Sequence, residues 1–161
     1  MHLAQLNIGR LLAPIDDPRT IDFVANLAPI NALAEASPGF VWRLQDEHGD
    51  ATHVKAFDDD LMILNLTVWT SVEALADFVF RTGHIDLVRR RREWFEGAIQ
   101  PTTCLWWIPE GTLPAVDHAI QRLEHLREHG ATATAFTFRH RFDPDGAESD
   151  APGADRDTCP A

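Results

Sequence analysis

From His2 to Ile8 apolar and polar side chains alternate, with Ala4, Leu6 and Ile8 on one side and Gln5 and Asn7 on the other, the period-two pattern of a β-strand. Asp17-Pro18 follows as an N-cap and a proline at the first helical position, and Phe23, Leu27, Ile30 and Ala34 recur at helical spacing. The spacing predicts a helix to about Ala36, kinked at Pro29, which lacks a backbone donor. After the breaker Ser37-Pro38-Gly39, Phe40–Gln45 reads as a second strand, and the polar run 46–60 as a connection that turns at Asp58-Asp59-Asp60. Leu61–Trp69 is apolar on both faces except at Asn65 and Thr67, which marks a central strand. Thr70-Ser71-Val72-Glu73 is a capping box, so a helix starts directly after Trp69, runs to Arg81, breaks at Thr82-Gly83 and resumes from His84 to about Phe95. Thr102–Ile108 is a fourth strand. Pro114 opens a helix with the stripe Val116, Ile120, Leu123 and Leu126, closed by Gly130. Phe136, Phe138, His140 and Phe142 then alternate with Thr137, Arg139 and Arg141 in a last strand.

The order β-α-β-β-α-α-β-α-β contains the split β-α-β-β-α-β pattern of a ferredoxin-like α+β sandwich, with an extra C-terminal helix and strand. Helices cover one face of such a sheet. Trp42, Ile63, Trp69, Leu105 and Trp107 cannot all face water on the other, so a second copy is expected to close over it as a homodimeric α+β barrel.

Charge sharpens the domain boundary. The 161 residues carry 25 acids against 14 bases, a formal net of −11, but six of those acids fall in the stretch 143–161, which has no Val, Ile, Leu, Met or aromatic residue. Such a stretch buries too little apolar surface to offset its ordering entropy, so residues 1–142 are expected to form one domain and 143–161 a disordered acidic tail. The acidity argues against nucleic acid or an anionic membrane as partner. Two cysteines, Cys104 in a strand and Cys159 in the tail, do not make a disulfide framework. With no leader-like pattern in the opening HLAQLNI, the expected setting is the cytoplasm.

Four features carry candidate chemistry. His125-Leu126-Arg127-Glu128-His129 fits an inverted zinc-peptidase motif, but the chemistry needs a third ligand downstream, and a solvent-facing last helical turn is the plainer reading. Arg89–Arg92 fans around a helix at about 100° per residue, which favours salt bridges to Asp86, Glu93 and Glu96 with one arginine turned inward. Gln5 and Asn7 on one strand, and Asn65, Thr67 and Trp69 on another, place amides, a hydroxyl and an indole on inner faces. They read either as a lined cavity or as a structural amide network. On that reading Met62, Leu64, Leu66 and Val68 face the helices, and Asn65 faces the barrel interior. His84 starts a helical segment, where the positive helix end favours the neutral imidazole that takes a proton or binds a metal; a cap or surface residue is the bland alternative.

The segments HLAQLNIGRLLAP, INALAEASPGFVWRLQDE, NLTVWTSVEALADFVFRTGHIDLVRRRREWF, LWWIPEGTLP and RLEHLREHGATATAFTFRHRF closely resemble, in this order, an uncharacterised bacterial family, domain of unknown function 3291, over about residues 2–142. The resemblance implies a dimeric α+β barrel and no established activity. More distantly the chain resembles antibiotic-biosynthesis monooxygenases and haem-degrading enzymes of the same barrel superfamily. These carry an asparagine on a barrel strand and a tryptophan at a strand end, and in the haem-degrading group a histidine from the following helix ligates iron. Asn7, Trp69 and His84 occupy comparable elements here. The helix between Trp69 and His84 is broken and longer than that comparison predicts, and the absence of tyrosine removes a phenol as acid or radical relay.

Two expectations follow. In the first, a monooxygenase-type cavity enzyme acts on an aromatic or polyketide-like small molecule. Asn7 and Asn65 hydrogen-bond its carbonyl or enolate, with Gln5 and Thr67 beside them, and Trp69 with Trp42 or Trp107 forms a flat wall. His84 then serves as base or haem-iron ligand, cofactor-free chemistry being also open, and Arg43 or Arg91 pairs with an anionic group. No metal site is assigned. In the second, the barrel is a non-catalytic ligand-binding or structural module.

Overall fold

A computed structural model describes residues 1–47 and 49–149. The alternation at the start of the chain becomes β1 (His2–Arg10), which pairs on one side with β3 (Met62–Trp69) and on the other with β4 (Thr103–Ile108), both antiparallel. The short β2 (Phe40–Arg43) adds to the outer edge of β3, giving the order β2-β3-β1-β4. That order, with a helix between β1 and β2 and helices between β3 and β4, is the ferredoxin-like sandwich the sequence predicts.

The pleat sends alternate residues to opposite faces, and each face has its own cover. Ala4, Leu6, Ile8, Leu64, Leu66, Val68, Cys104 and Trp106 pack against Ala119, Leu123 and Leu126 of α4 (Val116–His129) and against the segment that holds Leu44, Val54 and Phe57. The other face carries Leu3, Gln5, Asn7, Asn65, Thr67 and Trp69. It lies beneath α1 (Ile21–Glu35), α2 (Val72–Arg81) and α3 (His84–Arg90). The apolar pattern of the strands leaves this second face to a partner's sheet; in the structure α1–α3 of the same chain cover it, and α4 lies on the opposite side.

Local chemistry moves several boundaries. The N-cap of α2 is Ser71, whose Oγ accepts from the Ala74 N–H at 3.1 Å, and not Thr70 of the expected capping box. Pro29 lies inside α1 without ending it. A bulge between Phe40 and Trp42 sets Phe40 opposite Trp69 but Trp42 opposite Val68, so these two residues face opposite sides of the sheet. Gly39, at φ 82°, turns the chain into β2 where a Cβ would stand 2.6 Å from both the Ala74 Cβ and the Thr70 Oγ1.

The last strand is reduced to a bridge between Phe136 and Leu105 and the pair β5 (Arg141–Phe142) with β6 (Glu148–Ser149). The boundary placed at 142 therefore falls inside a hairpin, whose turn is held by the Asp143 carboxylate accepting from the N–H groups of Asp145 and Ala147. The rest of the expected tail, 150–161, lies outside the described residues. Among the described residues no helix is long and apolar enough to cross a membrane.

Candidate functional site

Between the sheet and α1–α3 lies a cavity of about 220 Å³. Its floor is the polar part of the strands: Gln5, Asn7, Asn65, Thr67 and Thr103. Its walls are the apolar stripe of α1 (Phe23, Leu27, Ile30), with Phe78 from α2 and Val88 from α3. Phe95 closes one side above Gly9, where a Cβ would lie 2.7 Å from the ring; a strand glycine admits the aromatic wall.

The floor has a fixed polarity. The Trp69 indole N–H donates to the Thr67 hydroxyl at 2.9 Å, and that hydroxyl donates to the Gln5 Oε1 at 2.7 Å. An indole N–H can only donate, so Thr67 must accept from it and passes its own proton to Gln5. The Gln5 oxygen is thereby committed to Thr67, and among the described residues its amide nitrogen has no hydrogen-bond partner. Asn7, which faces Asn65 across β1 and β3, donates through Nδ2 to the Thr103 Oγ1 at 2.7 Å. Asn65 is exposed and among the described residues its side chain has no hydrogen-bond partner, so it can turn either edge to a bound molecule.

His84 stands on the helical wall, its ring 4.9 Å from that of Phe78. Burial pulls its pKa below the ordinary 6.5, while the backbone of Val79 acts in the opposite sense. Desolvation is the first cause of this lowering, a burial that the sequence reading of a helix-start histidine did not include. Arg91 is the arginine of the run that lines the cavity, its guanidinium 6.0 Å from the Phe95 ring centroid. Arg89 pairs with Asp86, and Arg90 pairs with Glu93 and Asp22 while lying over Trp94.

Six of the sequence-derived residues therefore meet at the cavity: Gln5, Asn7, Asn65, Thr67, His84 and Arg91. Four do not line it. Trp69 is fully buried behind it, stacked on Phe78 at 5.2 Å, and acts through Thr67. Trp42 is turned by the bulge into the cluster under α4. Arg43 shares the sheet face of Thr67 but is spent on the Glu35 carboxylate at 2.8 Å and the Gly49 carbonyl at 2.7 Å. Trp107 donates to the Phe142 carbonyl at 2.7 Å. The walls from α1 and the stretch after α3 are not legible as such in the sequence. The stripe Phe23, Leu27 and Ile30 is visible in the sequence, but a stripe facing a cavity has the same period as one facing a core.

Other groups fall elsewhere. His125 and His129 stack on each other at 4.4 Å, and the His125 Nε2 lies 3.1 Å from the Thr132 hydroxyl. Among the described residues the set of three potential metal ligands within reach of one another is Asp46, Asp50 and His53, not this pair. The thiol of Cys104 is buried on the α4 face and pushed up to about 12, which leaves no thiolate nucleophile. Haem does not fit: the cavity is below the ~300–1,000 Å³ that drug-sized ligands fill, and a porphyrin is larger than these.

A family model described as "Domain of unknown function (DUF3291)" matches residues 2–152. Among solved structures the chain is similar to SnoaB, described as a cofactor-independent oxygenase from Streptomyces nogalater, with 19% identity over 71% of this chain and 98% of that one, at a TM-score of 0.45. No curated protein matches.

Proposed function

The chain belongs to the DUF3291 family, whose description assigns no activity, and we propose from its cavity that it binds a compact, aromatic or polyketide-like molecule bearing a carbonyl or enolate oxygen. The observation that carries this reading is the Trp69–Thr67–Gln5 chain, which orients the Gln5 amide at the base of a pocket whose walls are largely apolar. A donor fixed in advance stabilises a developing enolate without reorganising, and an apolar surround strengthens the bond. Asn65 supplies a second, adjustable amide, and Asn7 is held by Thr103. The activity proposed is a cofactor-free monooxygenation: a methylene beside the enolate reacts with dioxygen, one oxygen atom becomes a carbonyl, and the other leaves with the two methylene hydrogens as water.

The second reading, a non-catalytic binding module, is favoured by one feature. Trp69, Thr67 and Gln5, like Asn7 and Thr103, satisfy one another, as structural networks do. Two measurements separate the possibilities. In a fluorescence titration α-tetralone should bind, and Gln5→Leu should weaken it about tenfold while leaving naphthalene unaffected, the loss of one desolvated hydrogen bond. Oxygen uptake with an enolisable ketone supports the enzyme; binding without uptake supports the module. Equal affinity for ketone and hydrocarbon in both proteins overturns the cavity reading.

A homodimer in the cytoplasm is part of the proposal. What supports pairing is the outer side of α1, where Ile21, Val24, Ala25, Ala28 and Ala32 are all exposed, an apolar surface unusual for a solvent-facing helix.

A further inference from the structure

The polar groups of the cavity floor are accounted for by an acceptor oxygen on the ligand, whereas those on the opposite, helical wall, among them Asn31, Arg91 and His84, are not. His84 is the imidazole among the lining side chains, and among the described residues its ring has no hydrogen bond of full geometry beyond the influence of the Val79 backbone. Its two nitrogens differ. Nδ1 is buried without a partner of proper geometry, whereas Nε2 keeps open surface. The ring tilts against Phe78, which is itself stacked on Trp69, so its plane is set by packing.

We infer, building on the ketone-binding reading above, that His84 is a second recognition point: its Nε2 accepts a hydrogen bond from a hydroxyl on the bound ring, which narrows the ligand class to hydroxylated aromatic ketones. In the tautomer that carries the ring proton on the buried Nδ1, the lone pair stands on Nε2, the nitrogen that keeps open surface. Burial keeps the ring neutral, so the lone pair is available at ordinary pH. Arg91, the cation on the same wall, can only donate and cannot take this part. The cavity thus offers donors on the sheet and an acceptor on the helices, and it fits a ring that is oxygenated at both ends: carbonyl toward Gln5, hydroxyl toward His84.

The probes are α-tetralone, its ring-hydroxylated isomers and the matching methyl ethers. Wild-type protein should bind the best hydroxylated isomer about tenfold more tightly than its methyl ether, the worth of one buried hydrogen bond. In His84→Phe the ratio of the two affinities should fall to about one, whatever the substitution does to the affinity for α-tetralone itself. Imidazole nitrogen NMR on the wild type supplies a readout that does not depend on the variant folding. The free Nε2 should show the shift of an unprotonated nitrogen and move on addition of the hydroxylated probe, but not of the methyl ether. A hydroxyl preference that survives in His84→Phe, or an Nε2 indifferent to the hydroxyl, overturns the inference and leaves ketone binding standing. Failure of α-tetralone to bind the wild type at all removes the underlying reading, and this inference with it.

Discussion

Thr67 shows how much a single hydroxyl decides. It takes the indole proton of Trp69 and gives its own to Gln5, both within a buried set. Thr67→Val keeps the shape but strands the Trp69 N–H and frees Gln5 to rotate. Denaturant unfolding should record a loss of ~1–3 kcal/mol, and the same variant should bind α-tetralone more weakly. Full stability with unchanged affinity would show that the relay does not orient Gln5. His84 makes a second claim at this scale. Its folded pKa lies below 6.5, so the unfolded chain takes up a proton at a pH where the folded one does not. Stability is then full above about pH 6.5 and falls as the pH drops through the window beneath it. His84→Phe should flatten that segment of a melting-temperature profile and leave the more acidic segment intact. There Asp17, held at about 2 chiefly by the Arg19 side-chain hydrogen bond, and Asp59 and Glu93, lowered by Arg10 and Arg90, titrate.

At the scale of elements, α2 links floor and wall, since only Thr70 and Ser71 separate it from Trp69 and it carries Phe78 and Val79. Its N-terminus depends on the Ser71 hydroxyl, so Ser71→Ala should cost about 1 kcal/mol, read by thermal or urea unfolding. Thr70→Ala should cost little by comparison, which distinguishes the observed cap from the capping box that the sequence spells. The strands were legible because alternation survives in β1 and the apolar run in β3 is bounded by clear turns. The face that each aromatic takes was less so. A bulge of one residue at Val41 sends Trp42 to the α4 side and leaves Phe40 beside Trp69, their rings edge to face at 5.3 Å, and nothing in the local composition marks it. The last strand misled for a different reason: Phe136, Phe138 and Phe142 do turn inward, but as single contacts along an irregular segment, which produces the same alternation.

For the whole molecule, the order of elements was enough to give the sandwich, because connection rules leave few alternatives. The side on which the cavity opens was not legible. Met62, Leu64, Leu66 and Val68 do face a helix, as the sequence requires, but that helix is α4. The amide-bearing face also lies under helices, and the site is enclosed by one chain. Gln5, Asn7, Asn65 and Thr67 could be found because polar residues in an apolar strand need a reason; Phe23 and Phe95 could not, because an apolar wall is indistinguishable from core. Pairing through a second sheet is therefore not needed to bury either face. Light scattering that shows an 18 kDa particle at micromolar concentration would remove the proposed homodimer without touching the cavity.

The central claim is that a small ketone occupies the space between the sheet and α1–α3 with its oxygen on Gln5. It is tested most directly by assigning the side-chain amide resonances and titrating α-tetralone. The Gln5 amide pair should shift saturably, together with backbone signals of Asn65, Thr67 and Val88, while Trp106 and Leu123 on the α4 face stay still. Shifts confined to the α4 face, or a Gln5 amide pair that does not respond while the ketone binds, would contradict the account.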